Sequence, residues 1–328
     1  AISHMFVSPD ELVKDGLVSA EDIERSVYYG SPYTADYEFA YSARLELLRK
    51  AYSNAGEAIK AKAEKFADEN EWCKSYSLFM AAKEKFDNKP WYEWGEDFAR
   101  YENCLKNADK LKTEADFYAF VQYIAFSQWK EIKFYANDRG VKILGDMPIY
   151  VSMDSADVWS NRQLFEIDEN DFSKKRVAGV PPDYLSENGQ LWGNPLYNWS
   201  KMEKDGFKWW IDRLKASFKL FDTVRIDHFR AFASYWAVPA ESETAKTGEW
   251  VDGPGMKLFD KIKQEIGEPP IIAEDLGTFG EDVIKLLDDT KFPGMRVIQF
   301  GFDPNCDSTH LPHNYPKNSI AYVGTHDN

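Results

Sequence analysis

Four carboxylates stand at or near the ends of short apolar runs after residue 140. They are Asp146, Asp227, Glu274 and Asp327. The carboxyl ends of parallel strands meet on one face of an α/β fold, so acids in these places are expected to gather there. A single acid after a strand is usually a helix cap, but four gathered carboxylates repel one another unless they share a reaction or a cation. The pattern predicts an acidic reaction site on that face.

The residue types around these acids suit the cleavage of glycosidic bonds. In a retaining reaction one carboxylate attacks the sugar while a second protonates the leaving oxygen. Arg225 lies two residues before Asp227, so both side chains share one strand face and the guanidinium is expected to keep the Asp227 nucleophile ionised. Glu274 follows an apolar run, where burial raises the pKa of a carboxyl and suits it to act as the acid. His326, beside Asp327, is placed to bind sugar hydroxyls.

Two kinds of sequence pattern surround these residues. Helical periodicity dominates the first 140 residues, with helices predicted at 36–52, 55–70, 71–85 and 113–139. Thr113 and Asp116 have the spacing of a capping box for the last of these helices. Further on, the pattern predicts strands at 141–144, 222–226, 270–273, 295–299 and 319–323, and helices at 204–220, 255–266 and 280–290. Strands that alternate with helices predict a parallel sheet with right-handed crossovers.

A long segment between the first two predicted strands, 152–200, has no clear periodicity but is rich in aromatic residues. It contains Tyr184, Trp192 and Tyr197, together with two further Trp. Irregular segments of this length are usually functional or disordered, and the aromatic content argues against disorder. We therefore expect a lid or a sugar-stacking platform beside the acidic face. The alternative is a loop folded on a small aromatic core of its own.

Composition excludes several classes of function. Lys and Arg number 40 against 55 Asp and Glu, a net charge of −15, so the chain repels a phosphate backbone and no nucleic-acid partner is expected. No apolar stretch of about 20 residues occurs, so no membrane partner is expected either. Three scattered Cys make neither a disulfide framework nor a metal site. With no leader visible, the expected location is cytoplasmic, or a plastid if a transit peptide was trimmed.

Five stretches, met in order along the chain, resemble signature stretches of one known family. They are GDMPIYV at 145–151, PPDY at 181–184 with GQLWGNPLY at 189–197, VRIDHFR at 224–230, IAEDLG at 272–277 and GTHDN at 324–328. The family is the 4-alpha-glucanotransferases, also called amylomaltases or disproportionating enzymes, which form glycoside hydrolase family 77 in the alpha-amylase clan. The usual first motif of the amylases, an Asn-His pair after the third strand, is absent, and the stretch at 145–151 is more similar to the transferases.

The resemblance implies a partial (β/α)8 TIM barrel, of the α/β class, in which about strands three to seven are visible. Residues 1–140 would be a helical insertion subdomain and 141–328 the partial catalytic barrel, with 152–200 as the lid and substrate loop. Strands one and two would precede Ala1, and strand eight would follow Asn328. The implied activity is that of a retaining 4-alpha-glucanotransferase, which moves alpha-1,4-glucan segments from a maltooligosaccharide or starch-like donor to a glucose or oligosaccharide acceptor through a covalent glycosyl-Asp intermediate.

The same resemblance assigns roles to the matching residues. Asp227 would be the nucleophile, Glu274 the general acid/base and Asp327 the acid that orients the reacting sugar. The substrate-binding residues would be Arg225, His326, Asp146, Tyr184, Trp192, His228 and Asn194. Leu185 stands where the family often has Phe, which implies weaker stacking of the acceptor. No metal or cofactor is expected, because carboxylates alone stabilise the positive charge that develops on the sugar.

Three rival functions remain open from the residues alone. An alpha-1,4-glucan hydrolase of the same clan shares every step up to the covalent intermediate, so only the fate of that intermediate separates it from a transferase. A metal-dependent enzyme would use the acids with His228 and His326, although no compact ligand spacing is present. A non-catalytic glucan-binding module would explain the aromatic residues, but not the Arg, the acids and the buried Glu together.

Overall fold

The computed structural model describes residues 1–183, 186–277, 280–302 and 308–327, so Tyr184, Leu185 and Cys306 lie outside the described residues. The chain divides into two compact units. One comprises Ala1–Arg139 with Asp154–Ser160, and the other comprises Gly140–Met153 with Asn161–Asn328. Within the described ranges, no helix combines the length and the apolar character needed to cross a membrane.

The first unit is built from helices. In chain order they are α1 Pro9–Lys14, α2 Ala20–Glu24, α3 Tyr37–Asn54, α4 Glu57–Glu69, α5 Glu71–Lys85, α6 Glu96–Ala99, α7 Tyr101–Lys106, α8 Lys112–Asp138 and α9 Ala156–Ser160, with short 3-10 helices at His4–Phe6, Trp91–Glu93 and Ala108–Leu111. Asp36 caps α3 by accepting a hydrogen bond from the N–H of Phe39. The core lies along α8, whose buried Phe117 and Phe120 share a cluster with Leu48 of α3. The predicted helices of this region are confirmed, with small shifts of their ends.

The predicted capping box of α8 is wrong. The helix begins at Lys112, after Leu111, and no side chain caps it. Asp116 instead binds the ammonium of Lys112, at 2.9 Å and one turn away. Asp116 therefore pairs with Lys112, the first residue of the helix, and does not form a capping box with Thr113.

The second unit combines two kinds of sheet with four further helices. Its strands are β1 Leu144–Pro148, β2 Arg176–Val180, β3 Gln190–Pro195, β4 Thr223–Asp227, β5 Ser234–Pro239, β6 Glu249–Asp252, β7 Ile271–Ala273, β8 Gly294–Val297 and β9 Ser319–Tyr322. Its helices are α10 Trp199–Lys204, α11 Lys208–Leu220, α12 Met256–Ile266 and α13 Glu281–Thr290, with 3-10 helices at Arg162–Leu164, Phe229–Phe232, Ile298–Gly301 and Pro312–Asn314.

The parallel strands are those that the apolar runs predicted. β1, β4 and β7 pair in that order, all parallel, and β8 pairs with β9, also parallel. The N–H of Ala273 donates to the carbonyl of Pro293, at 2.9 Å, and joins the end of β7 to the start of β8. On α11, Arg213 donates to the carbonyls of Pro148 and Ile149, at 2.6 and 3.0 Å, and fixes the carboxyl end of β1.

The first parallel strand lies further along the chain than predicted, at Leu144–Pro148 instead of 141–144. β1 runs from Leu144 to Pro148, so Asp146 lies inside the strand and not after its end. Asp146 is the register partner of Arg225 on β4. A polar pair across two adjacent strands satisfies both charges within the sheet, and an apolar run cannot reveal it.

The prediction that 152–200 is irregular is wrong in part. β2 and β3 form an antiparallel hairpin within it, and they belong to a four-stranded sheet in the order β3-β2-β5-β6. Val177 of β2 and Val238 of β5 are buried together in this sheet. The strands were missed because β2 is completed by β5, a partner that lies far along the chain and leaves no local pattern.

Candidate active site

A single buried guanidinium holds three carboxylates together. Arg225 is 5% exposed. Its Nη1 lies 2.6 Å from Asp146 Oδ2, and its Nη2 lies 2.8 Å from Asp227 Oδ1 and 2.9 Å from Asp327 Oδ2. Three negative charges share one positive charge, so the cluster is negative and is suited to stabilise a cation.

The parallel strands bring these side chains to one place. Arg225 and Asp227 lie two residues apart on β4 and therefore share one face. Asp146 reaches the same face from β1, and Asp327 follows β9. The three carboxylate side chains are between 39% and 47% exposed, while that of Arg225 is 6% exposed. The acids are accessible to a ligand and the cation that orders them is not.

The net pKa shift of Asp227 differs in direction from the effect that Arg225 alone predicts. Burial raises the pKa of Asp227 above its ordinary value, and the charges of Asp146 and Asp327 raise it further. The Arg225 guanidinium acts in the opposite direction but does not outweigh them. Arg225 lowers this pKa as expected, but the net shift is upward because of desolvation and the two neighbouring acids, which the expectation left out.

Glu274 is held in a different environment, directly after β7. It is 8% exposed. Its Oε2 accepts from the N–H of His228 at 2.7 Å, and its Oε1 accepts from the N–H of Leu276 at 2.6 Å. Burial raises the pKa of Glu274 to about 7, and the charge of Asp227 adds to the rise against the effect of the two N–H donors and of Arg225. A carboxyl with this pKa can both give and take a proton near neutral pH.

Trp192 and His228 form the aromatic side of the site. His228 has left-handed backbone geometry, with φ 54°, which turns its N–H toward Glu274. The ring of Trp192, on β3, meets the imidazole edge-to-face at 4.7 Å. Burial and the nearby Arg230 lower the pKa of His228, so the imidazole is neutral. Trp192 is 37% exposed and leaves part of its indole open to a ligand.

His326 joins the carboxylate cluster, whereas Asn194 does not. His326 Nε2 lies 3.3 Å from both Asp146 Oδ2 and Asp327 Oδ1. Asn194 donates its amide to the carbonyl of Val151, at 2.9 Å, and so holds the backbone after β1. The remaining predicted substrate-binding residue, Tyr184, lies outside the described residues.

Sequence reasoning missed two residues, Met295 and Asp275, that contact or adjoin residues of the site. The sulfur of Met295, on β8, lies 3.3 Å from Arg225 Nε. Asp275 is buried next to Glu274 and binds β8. Adjacency to Glu274 was a signal for Asp275, but nothing in the pattern marked Met295. In the described part of the chain, no group of three or more His, Cys, Asp or Glu is arranged to hold a metal ion.

Comparison with known proteins finds relatives of this chain. A family model described as 4-alpha-glucanotransferase matches residues 1–328. The 4-alpha-glucanotransferase of Streptococcus pneumoniae serotype 4 is 48% identical over 328 residues, 98% of this chain and 65% of that protein. That of Clostridium butyricum is 44% identical over 326 residues, 98% of this chain and 67% of that protein.

A solved structure shares the fold closely. It is an amylomaltase from Streptococcus agalactiae in complex with acarbose, with a TM-score of 0.94 and 40% identity. The likeness covers 99% of this chain and 67% of that one. The chain thus spans about two thirds of the length of the relatives that it matches.

Proposed function

Because the chain belongs to the 4-alpha-glucanotransferase family, we propose that it transfers alpha-1,4-glucan segments with retention of configuration, from a maltooligosaccharide or starch-like donor to a glucose or oligosaccharide acceptor. The observation that carries this proposal is the site itself. One buried Arg225 gathers Asp146, Asp227 and Asp327, and beside them Glu274 has a pKa of about 7. One ordered carboxylate and one titrating carboxyl are the two groups that a retaining reaction needs.

We assign the parallel strands β1, β4, β7, β8 and β9 to strands three to seven of a (β/α)8 barrel, with residues 1–140 as a helical insertion. The parallel pairing supports this assignment, as does the fit to an amylomaltase at TM-score 0.94. In such a barrel the reacting groups stand at the carboxyl ends of the strands. Asp227 as the last residue of β4 and Glu274 directly after β7 agree with that position.

The proposed reaction has two steps. A carboxylate oxygen of Asp227 forms a bond to the anomeric carbon of the donor as the bond to the leaving oxygen breaks, and Glu274 gives its proton to that oxygen. In the second step an acceptor hydroxyl attacks the same carbon, its proton passes to Glu274, and the bond to Asp227 breaks. The negative cluster around Arg225 stabilises the positive charge on the sugar in both steps, so no metal or cofactor is invoked.

The remaining residues bind substrate in this proposal. Asp327 and Asp146, with His326 between them, accept and donate hydrogen bonds to the hydroxyls of the reacting sugar. Trp192 offers its exposed indole to a sugar ring and packs on His228. The β2–β3 hairpin that carries it belongs to the proposed lid. Tyr184 and Asn194 are the remaining proposed substrate-binding residues, and Asn194 holds the backbone after β1.

Maltotriose as the sole substrate tests the function and separates it from its rivals. Transfer makes longer and shorter oligosaccharides in pairs, so the number of reducing ends stays constant. Hydrolysis adds one reducing end for every bond cleaved and gives only shorter products. A glucan-binding module changes neither quantity. Product sizes by chromatography and reducing ends by a colorimetric assay, on the full-length enzyme, distinguish all three.

A matched pair of variants ties the result to the site. Asp227→Asn keeps the volume of the side chain but cannot form the glycosyl ester, so we expect at least about a thousandfold loss of turnover. Asp212→Asn makes the same change on α11, where the side chain is 53% exposed and pairs with Lys208, and it is expected to leave the rate unchanged. Retention of more than a few per cent of activity by Asp227→Asn reassigns the nucleophile.

A further inference from the structure

A second buried carboxylate, Asp275, follows Glu274 in the chain, and its hydrogen bonds go to β8. Asp275 is 3% exposed. Its Oδ1 accepts from the N–H of Met295 at 2.5 Å, and its Oδ2 accepts from Arg296 Nη1 at 2.9 Å. A buried carboxylate is costly unless it is paired and hydrogen-bonded. Both of its partners lie on β8, so Asp275 fastens the residue after Glu274 to that strand.

The start of β8 is shaped to admit this carboxylate. A Cβ placed on Gly294 would lie 2.4 Å from Asp275 Oδ2 and 2.7 Å from its Cγ, closer than atoms in contact can approach. Any side chain at this position therefore displaces the Asp275 carboxylate. The backbone of Gly294 is outside the left-handed region, so space alone requires glycine here.

The bond between Asp275 and β8 is connected to both Glu274 and Arg225. The N–H of Glu274 donates to the carbonyl of Ile226 at 3.0 Å, and its own carbonyl accepts from the N–H of Phe229 at 3.2 Å, so the peptide of Glu274 is already tied to β4 and the segment after it. On the other side, Met295 donates its N–H to Asp275, and its sulfur lies 3.3 Å from Arg225 Nε.

We propose that Asp275 is a positioning residue, which holds the Glu274 carboxyl against the leaving oxygen by clamping the end of β7 to Met295 and Arg296 of β8. The inference rests on the proposed function. Its consequence is specific: loosening the clamp impairs proton delivery by Glu274 and leaves attack by Asp227 largely intact, because Arg225, which binds Asp227, is also held by ion pairs to Asp146 and Asp327.

Two donors separate these effects. A maltooligosaccharide needs a proton on its leaving oxygen. In alpha-maltosyl fluoride the C1–F bond breaks, a carboxylate oxygen of Asp227 bonds to C1, and fluoride leaves as the anion without a proton. The first-turnover release of fluoride therefore reports attack by Asp227, and turnover of maltotriose reports attack and proton transfer together.

The variants are Asp275→Asn and Gly294→Ala in the full-length enzyme. For both we expect kcat on maltotriose to fall at least thirtyfold with KM within threefold of its original value, and first-turnover fluoride release to stay within threefold. Gly95→Ala is the matched control, since a Cβ on Gly95 meets nothing within 4 Å, and it is expected to change neither rate. Arg296→Lys keeps the charge at a partly exposed position. If the other two variants do not fold, its rates on maltotriose and on alpha-maltosyl fluoride are compared in the same way.

An equal loss on both donors overturns the proposal, because it means that Asp275 supports the fold and not the acid. Unchanged rates on both donors overturn it too, since the clamp then positions nothing. The proposed function fails in a different way, when the unaltered enzyme neither redistributes maltotriose nor releases fluoride.

Discussion

Glu274 allows the electrostatics of the site to be tested by one substitution. Its carboxyl is buried, and its pKa is raised from 4.5 to about 7, first by desolvation and then by the charge of Asp227. Glu274→Gln replaces the carboxyl by an amide of almost the same shape that does not titrate. A pKa change of this size corresponds to about 3 kcal/mol of preference for the protonated form in the folded protein.

The sign of the pH dependence follows from the direction of that change. The folded state binds the proton of Glu274 more tightly than the unfolded state does, so its contribution to stability is fully present below pH 4.5 and is lost as the pH rises through about 7. Between these values the free energy of unfolding of the unaltered protein should fall relative to Glu274→Gln by up to about 3 kcal/mol. The charge effects of groups that do not interact with Glu274 are common to both proteins and cancel in the difference.

Urea unfolding of the two proteins at half-unit steps from pH 4.5 to 8 measures this difference. Glu265→Gln is the control, because Glu265 is paired with Lys261 and its pKa is lowered, so no change is expected in that pH range. The same proton should appear in catalysis, as a loss of kcat/KM above a pH of about 7. A difference between the proteins that is flat from pH 4.5 to 8 refutes the claim that burial controls this carboxyl.

Four further outcomes are expected. Arg225→Gln removes the cation shared by three carboxylates, so kcat/KM should fall about a thousandfold and the acidic limb of the pH–rate profile should move to higher pH; an unmoved limb contradicts the ion pairing. Trp192→Ala should produce more new reducing ends per bond cleaved than Trp250→Ala, a change of the same kind on β6, and equal ratios exclude Trp192 from acceptor binding. Dialysis against a chelator should leave the transfer rate unchanged, whereas recovery with one specific ion after a loss would show a metal requirement. Burial raises the pKa of the Cys73 and Cys104 thiols to about 11, so mass spectrometry should find neither alkylated at pH 8 until urea is added.

Hydrophobic periodicity is sufficient to predict elements whose structure depends on residues close in the sequence. Helix α5 occupies the range 71–85 that the pattern predicts, because its apolar residues recur on one helical face. Strands β4, β7 and β8 were found for a similar reason, since they are short and largely buried apolar runs. The antiparallel sheet was not predicted, because β2 pairs with β5 and no residue near β2 in the sequence indicates that pairing.

The site residues divide in the same way. Two-residue spacing placed Arg225 and Asp227 on one face, and this part of the geometry is local. The bonds from Arg225 to Asp146 and Asp327 depend on strand register and on the end of β9, which the sequence does not specify. The net rise in the pKa of Asp227 could not be predicted from the sequence either, because its sign is a balance between burial and four neighbouring charges whose distances are set only by the fold.

Because the two reacting carboxyls are coupled, the pKa of Glu274 changes between the two steps of the proposed reaction. The charge of Asp227 is one of the groups that raise the pKa of Glu274. When Asp227 becomes an ester in the proposed intermediate, that charge is lost, and the pKa of Glu274 must fall. Loss of that charge shifts Glu274 toward the ionised form at the stage where it must take a proton from the acceptor, while burial, the largest cause of its raised pKa, remains.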